Sequence, residues 1–222
     1  MIHLNKITKS FRTPAGPKVI LHETDLVFPT GVAVGLLGRN GAGKSTLMDM
    51  IGGTAQPDTG TIDVTGTVSW PVGFKGSFNR HMTGAQNTRF IARIYGVDTK
   101  SLLKYVTEFA ELGAHMHMPV RSYSAGMRSR LAFGISIGIP FDTYLVDEVT
   151  SVGDAAFKRK SRLAFVHRMQ NAGALFVSHS TRQLKKFCEA GAVLEDGVLT
   201  YFDDVKDAIA QHHENMGTDE DE

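Results

Sequence analysis

The sequence predicts an α/β fold, in which helices cover a largely parallel sheet and a separate helical segment is inserted into the chain. Three observations predict it. Val32-Ala33-Val34-Gly35-Leu36-Leu37, Tyr144-Leu145-Val146 and Ala174-Leu175-Phe176-Val177 are almost continuously apolar, as strands buried on both faces must be. The longer segments between them carry apolar residues at helical spacing. Residues from about 84 to 137 are helical in pattern throughout and hold no strand candidate, which marks an inserted helical subdomain.

Taken in order, Ile2 and Leu4 read as a first short strand, and Thr13-Pro14-Ala15-Gly16-Pro17 as a turn-rich loop. Val19-Ile20-Leu21 and Leu26-Val27-Phe28 read as two further short strands. Pro29-Thr30-Gly31 turns the chain into the first buried run, and Leu47-Met48-Asp49-Met50-Ile51 is helical. Phe90, Ile91, Ile94 and Tyr95 fit one helical face, and Leu102, Leu103, Val106, Phe109 and Leu112 fit another. Asp196-Gly197, between Val193-Leu194 and Val198-Leu199, is a hairpin signal. Residues 1–216 are expected to form one domain, and residues 217–222, ending Asp219-Glu220-Asp221-Glu222, a solvated acidic tail without fixed structure.

Composition narrows the function. In 222 residues, 42% are hydrophobic and 21% charged, and 24 Lys plus Arg against 23 Asp plus Glu leave a net charge of +1. That is ordinary for a folded soluble domain and disfavours a strongly basic nucleic-acid binder. The basic run Lys158-Arg159-Lys160-Ser161-Arg162 reads as a solvated helix face. The single cysteine, Cys188, can form neither an internal disulfide nor a Cys-based metal cage, and reads as a small buried hydrophobe in a reducing compartment. The opening residues lack the apolar centre of a secretory signal, and the apolar stretch Leu131–Phe141 is too short to span a bilayer. Membrane association would then come through a partner.

The most specific signal is Gly38-Arg39-Asn40-Gly41-Ala42-Gly43-Lys44-Ser45-Thr46, which fits G-x-x-x-x-G-K-[ST] between a buried strand and a helix. Glycines let backbone N–H groups curl around phosphate oxygens, and the helix N-terminus adds partial positive charge. Lys44 is expected on the β- and γ-phosphates of a nucleotide and the Ser45 hydroxyl on Mg²⁺. Such a loop alone leaves kinases, GTPases, motor ATPases and transport ATPases open. Thr143-Tyr144-Leu145-Val146-Asp147-Glu148 is an apolar strand ending in two acids. There Asp147 can hold Mg²⁺, directly or through water, and Glu148 can act on the attacking water.

Tyr123-Ser124-Ala125-Gly126-Met127 then selects among the families. Ser124 stands 23 positions before Asp147 and opens a helix whose free N–H groups suit an anion. Spacing and composition resemble the signature of ABC-type ATPases, L-S-G-G-Q, with Ser124 and Gly126 kept and Tyr123, Ala125 and Met127 in place of the usual residues. The resemblance extends along most of the chain. Phe11 matches the aromatic residue that stacks on adenine, Ser151-Val152-Gly153-Asp154 resembles the loop that contacts the second subunit, and His179 matches the histidine that touches the γ-phosphate. One element departs: no Gln lies between Gln56 and Gln86, where the family carries one, and Asn79 is the candidate stand-in.

The resemblance implies a P-loop NTPase (RecA-like) core with an N-terminal antiparallel β subdomain and an inserted α-helical subdomain. It also implies an ATPase that works as a head-to-tail homodimer, with ATP and Mg²⁺ at the interface. Phe11 and Gly38 to Thr46 would bind ATP, Ser45 and Asp147 the metal, and Glu148 and His179 would be catalytic. Ser124, Ala125 and Gly126 would act on the nucleotide of the partner copy. A finer resemblance, to the ATPases of capsule polysaccharide exporters, lies in Ser69-Trp70-Pro71-Val72-Gly73, Tyr123–Leu131 and Val146–Ala155. It implies a separate integral membrane permease that contacts the cargo, a lipid-linked polysaccharide, and a location on the cytoplasmic face of a bacterial inner membrane. The chain ends soon after the hairpin, whereas O-antigen and teichoic acid exporters often append a carbohydrate-binding domain, so the capsule branch is expected. Those exporters remain alternatives, as does a soluble ABC ATPase of DNA repair or translation. A nucleotide sensor without turnover is weighed against by Glu148 and His179.

Overall fold

Parallel pairing of buried apolar strands organises the central sheet of the structure, a computed structural model that describes residues 1–14, 16–72, 78–147, 154–178 and 180–217. The chain divides into two units. One comprises Met1–Pro71, Phe141–Glu148 and Asn171–Glu222, the other Val72–Pro140 and Val149–Gln170. In chain order the first unit holds β1 (Ile2–Thr13), β2 (Gly16–Phe28), β3 (Ala33–Leu37), α1 (Lys44–Ile51) and β4 (Thr59–Val64). It continues with β5 (Thr143–Asp147), β6 (Gly173–Val177), α6 (Thr181–Phe187), β7 (Ala190–Glu195), β8 (Val198–Phe202) and α7 (Val205–Met216). The second unit holds α2 (Gly84–Ile94), α3 (Thr99–Ala110), α4 (Ala125–Gly138) and α5 (Ala155–Met169), with short 3₁₀ turns at Gly113–His117 and Val120–Ser122.

The three apolar runs of the sequence are β3, β5 and β6, and they lie in one five-stranded sheet of order β5-β6-β3-β7-β8. Every residue of β3 and of β6 is buried, which explains why their sequences do not alternate. The register pairs Leu36 with Val177 and Asp147 with Val177, all in parallel. The C-terminal ends of β3, β5 and β6 therefore reach the same edge of the sheet, the place where open α/β sheets bind ligands. β8 returns antiparallel to β7 through Asp196-Gly197, both with positive φ (45° and 78°), the hairpin expected from that dipeptide.

A second sheet, order β2-β1-β4, is antiparallel throughout. Here the structure is longer than the sequence suggested. The runs Val19–Leu21 and Leu26–Phe28 belong to one 13-residue strand, and the turn-rich loop tightens into a hairpin in which Thr13 pairs with Gly16. One face of this sheet meets the core while the other is solvated, so polar residues such as His22 and Glu23 interrupt the apolar signal without interrupting the strand. β4 had no signal at all: five of its six residues are exposed, and it is held by backbone pairing to β1, with Ile62 against the core and a Thr8–Thr59 hydroxyl contact at 2.8 Å.

α7 packs on β7 across a very small gap. A Cβ built on Gly191 would lie 2.3 Å from Cβ of Ala208, and Val205, Ala208 and Ile209 are buried in the contact. Cys188, at the end of α6, is buried beneath β3, and burial pushes its thiol up to about 12, so it stays protonated and inert at physiological pH.

In the second unit, Thr83 and Gln86 form a capping box at the start of α2, and Asp98, Ser124 and Asp154 cap α3, α4 and α5. Phe109 is the centre of its core: its ring stacks on Tyr105 and Phe133 at 5.6 and 5.9 Å between centroids and meets the edge of Phe157 at 5.4 Å. On α2 the buried face is Ala85, Thr88, Ile91 and Ala92. Ile91 is 4% exposed, but Phe90 and Ile94, expected on the same face, are 51% and 59% exposed, as is much of Tyr95. The spacing of apolar residues pointed to the wrong stripe because small residues, Ala85 and Ala92, form the inward one. Among the described residues no helix is long and apolar enough to cross a membrane.

Replacing Gly191 with Ala should force α7 off β7, since the new methyl has no room. Overpacking of this kind costs about 1–3 kcal/mol, and at about 2–4 °C per kcal/mol for a chain of this size the melting temperature should fall by several degrees. Circular dichroism on heating measures it; an unchanged melting temperature would show that α7 is not seated as described.

Candidate nucleotide-binding site

β3 delivers the chain at Leu37 into the glycine-rich loop, and α1 takes it up again at Lys44 with Gly43 as its N-cap. Two glycines are demanded by their neighbours. At Gly38 (φ 147°) a Cβ would lie 2.3 Å from the Leu194 carbonyl oxygen, and at Gly43 (φ 112°) 2.3 Å from Ile20 Cγ2. The Lys44 ammonium donates to the carbonyls of Gly38 (2.5 Å) and Arg39 (3.0 Å), and the Lys18 ammonium donates to the Gly41 carbonyl (2.9 Å). Burial pulls the Lys44 amine below its ordinary range, opposed by the carboxylates of Asp147 and Glu195. A partly desolvated ammonium attracts phosphate more strongly than one in bulk water.

A pocket of about 470 Å³ opens above the loop. Asn40, Gly41, Gly43, Lys44, Ser45 and Thr46 form its floor, Asp147 and Val177 enter from the ends of β5 and β6, and Phe11, Thr13, Lys18 and Ile20 enter from β1 and β2. The structure therefore brings Phe11, most of the loop and Asp147 around one cavity. Phe11 is 46% exposed, with the Lys9 ammonium 5.4 Å from its ring centroid. Lys18 was not singled out from the sequence. Its signal lay in the hairpin, whose register sets Phe11 directly opposite Lys18. Ser45 and Asp147 offer hard oxygen donors on the same pocket, a set suited to Mg²⁺ beside phosphate oxygens.

Two loop residues send their side chains away from this pocket. Ala42 packs its methyl against the core beneath the loop. The Arg39 side chain turns to Glu195, Nε to Oε1 3.0 Å, and donates to the Asn215 carbonyl in the last turn of α7. A smaller pocket of about 170 Å³ lies on that side, lined by Gly38, Lys44, Ser178, His212, His213 and Met216 among others. α7, which sequence reasoning did not mark, thus reaches the root of the phosphate loop. The catalytic candidates Glu148 and His179 lie outside the described residues, as do Ser151, Val152 and Gly153.

In the second unit Ser124 caps α4, its hydroxyl accepting from the Met127 N–H at 3.2 Å, and Ser124, Ala125 and Gly126 are all exposed. Tyr123 is buried, and its hydroxyl donates to the His115 carbonyl at 2.5 Å. Gly84 leaves it space: a Cβ there would lie 2.5 Å from Tyr123 Oη. Arg128 donates to the Tyr123 carbonyl, and Arg130 pairs with Asp154 at 2.7 Å and Glu111 at 3.4 Å while lying over the Phe157 ring. Lys160, from the run read as solvated, instead pairs with Glu111 at 2.6 Å and donates to the Phe109 carbonyl, while Lys158, Arg159 and Arg162 are exposed. Asn79 spends its side-chain oxygen locally, accepting from the His81 N–H at 3.0 Å.

Against known proteins, a family model described as ABC transporter matches residues 21–151. The chain is 45% identical over 215 residues to the polysialic acid transport ATP-binding protein KpsT of Escherichia coli, covering 96% of each chain. It is 41% identical to the capsule polysaccharide export ATP-binding protein CtrD of Neisseria meningitidis serogroup B, covering 96% of this chain and 99% of that one. Among solved structures it superposes on one reported as "Structure of ATP binding subunit of ABC transporter" with a TM-score of 0.76 at 19% identity, covering 96% and 94% of the two chains. That likeness speaks for the fold. With the family model spanning more than half of its length and relatives matching it nearly end to end, the chain belongs to the ABC transporter family, as an ATP-binding ATPase.

Proposed function

We propose that this chain is the ATP-hydrolysing subunit of an exporter that drives lipid-linked capsular polysaccharide outward across a bacterial inner membrane. It would lie on the cytoplasmic face and act through a separate integral membrane subunit that contacts the cargo. The observation that carries the cargo assignment is the 45% identity across 96% of both chains with a relative named for polysialic acid transport.

In this reading the triphosphate lies along the loop, with backbone N–H groups and the ammonium groups of Lys44 and Lys18 on its oxygens and Phe11 against the adenine. Ser45 and Asp147 would hold Mg²⁺, which when bound supplies positive charge to the phosphate oxygens. Glu148 takes the proton of the attacking water, and His179 bonds the γ-phosphate. Ser124, Ala125 and Gly126 present the open N-terminus of α4 to the nucleotide of a second copy, so two chains enclose two ATP molecules and separate after hydrolysis. Nucleic acid has no part in this cycle, in keeping with a net charge of +1.

The exposed apolar side chains of α2 support a protein partner. Phe90, Ile94 and Tyr95 form a hydrophobic patch in a unit whose core is already complete without them. The membrane subunit is its occupant in this reading, in keeping with the absence, among the described residues, of a helix long and apolar enough to cross a membrane.

Deleting the gene should strip the cell surface of capsule while polymer accumulates inside. The native gene should restore export, and a Glu148→Gln version should not. Normal surface polymer in the deletion strain would overturn the export assignment and leave the ATPase intact. The double substitution Phe90→Glu/Ile94→Glu should melt at the native temperature, because both side chains already face water, yet lose co-purification with the membrane subunit. Retained co-purification would move the docking face elsewhere.

A further inference from the structure

Arg39 belongs to the phosphate loop by sequence, but its guanidinium is committed to the opposite side. It pairs with Glu195 at 3.0 Å and donates to the Asn215 carbonyl. That carbonyl belongs to the last turn of α7, the negative end of the helix dipole. Glu195 is the last residue of β7, directly beneath the loop: the carbonyl of its neighbour Leu194 fills the space where a Gly38 Cβ would stand. One carboxylate oxygen of Glu195 meets Arg39. The other, Oε2, is buried and has no hydrogen-bond partner among the described residues. α7 in turn is fixed by its close contact at Gly191 and Ala208.

A carboxylate at this place is an electrostatic problem for a site that must accept a triphosphate. Its buried oxygen meets no donor among the described residues, and the field it projects opposes a polyanion held on the loop. Arg39 meets the problem twice. It cancels the Glu195 charge, and its second donor ties the loop to a helix that packs against the sheet.

We propose that Arg39 is a positioning residue that sets nucleotide affinity: bridging Glu195 and the Asn215 carbonyl, it fixes the phosphate loop to β7 and α7 and neutralises a carboxylate that otherwise repels the bound polyphosphate. The proposal rests on the reading of this loop as the ATP site.

The test is equilibrium binding of a fluorescent ATP analogue (mant-ATP) to the full chain in EDTA, so that no metal and no turnover enters. Arg39→Ala should weaken binding about fivefold or more, the scale of a lost charge-assisted contact. Arg39→Ala/Glu195→Gln should recover most of that loss, because the uncompensated charge is gone. Arg39→Lys, which keeps the charge without the two-pronged geometry, should fall between. The loss in Arg39→Ala should shrink in 0.5 M salt. A purely structural role for Arg39 predicts no recovery on removing the Glu195 charge, so failure of the double variant to recover overturns the proposal. Binding by Arg39→Ala within twofold of native overturns it too. If the native chain binds no mant-ATP, the nucleotide reading falls and this inference with it.

Discussion

The interaction on which the rest of the structure depends is the seating of the phosphate loop between β3 and α1, where neighbouring atoms occupy the space that side chains would need. The Leu194 carbonyl stands against Gly38 and Ile20 against Gly43, so the loop can take only one path. That path is set from three sides. β7 supplies the carbonyl, β2 supplies Ile20, and the buried parallel pairing of β3 with β6 and β7 fixes where the loop begins. A residue with a side chain at either glycine would displace a sheet as well as a loop. Hence both sheets of the first unit converge on the same few atoms, and the pocket takes walls from each.

How much of this could be read beforehand follows from where the determining interactions lie. The strands around the loop were legible because burial on both faces leaves an unbroken apolar run. The loop was legible because its chemistry is carried by backbone at adjacent positions, which fixes residue types in a contiguous pattern. β1 and β2 were underestimated in length because half of their residues face water. β4 was invisible because five of its six residues face solvent and its pairing rests mainly on backbone. Lys18 joins Phe11 only through hairpin register, and the direction taken by Arg39 depends on α7, nearly the whole chain away. Sequence patterns report local periodicity well, and side-chain direction across long separations poorly.

The signature-like edge of the second unit shows how a departure from a family pattern is absorbed. Tyr123 replaces a smaller apolar residue, and its bulk is accepted because Gly84 has no side chain. Its hydroxyl, once buried, must bond, and the 3₁₀ turn ending at His117 provides the His115 carbonyl. Arg128 fixes the Tyr123 carbonyl, and Arg130 ties α4 to Asp154 at the start of α5. The substitution therefore leaves Ser124, Ala125 and Gly126 exposed at an ordinary helix N-terminus. In the proposed function they meet a nucleotide through backbone N–H groups at the start of α4, which an alanine at 125 presents as a glycine would.

Charge balance connects these features. Lys44 is partly desolvated, and the carboxylates of Asp147 and Glu195 keep its amine from losing its proton more readily still. Both carboxylates carry the wrong sign for the polyphosphate that the proposed function places on this loop. In that reading a cation balances each and Lys44 serves phosphate. Asp147 stands on the open pocket beside Ser45, where the proposed function places a divalent ion with the nucleotide. Glu195 stands below the loop with one oxygen buried, and its cation is built into the chain as Arg39. The division follows from access: the exchangeable counter-charge belongs on the side that opens to solvent, and the permanent one on the side closed by α7.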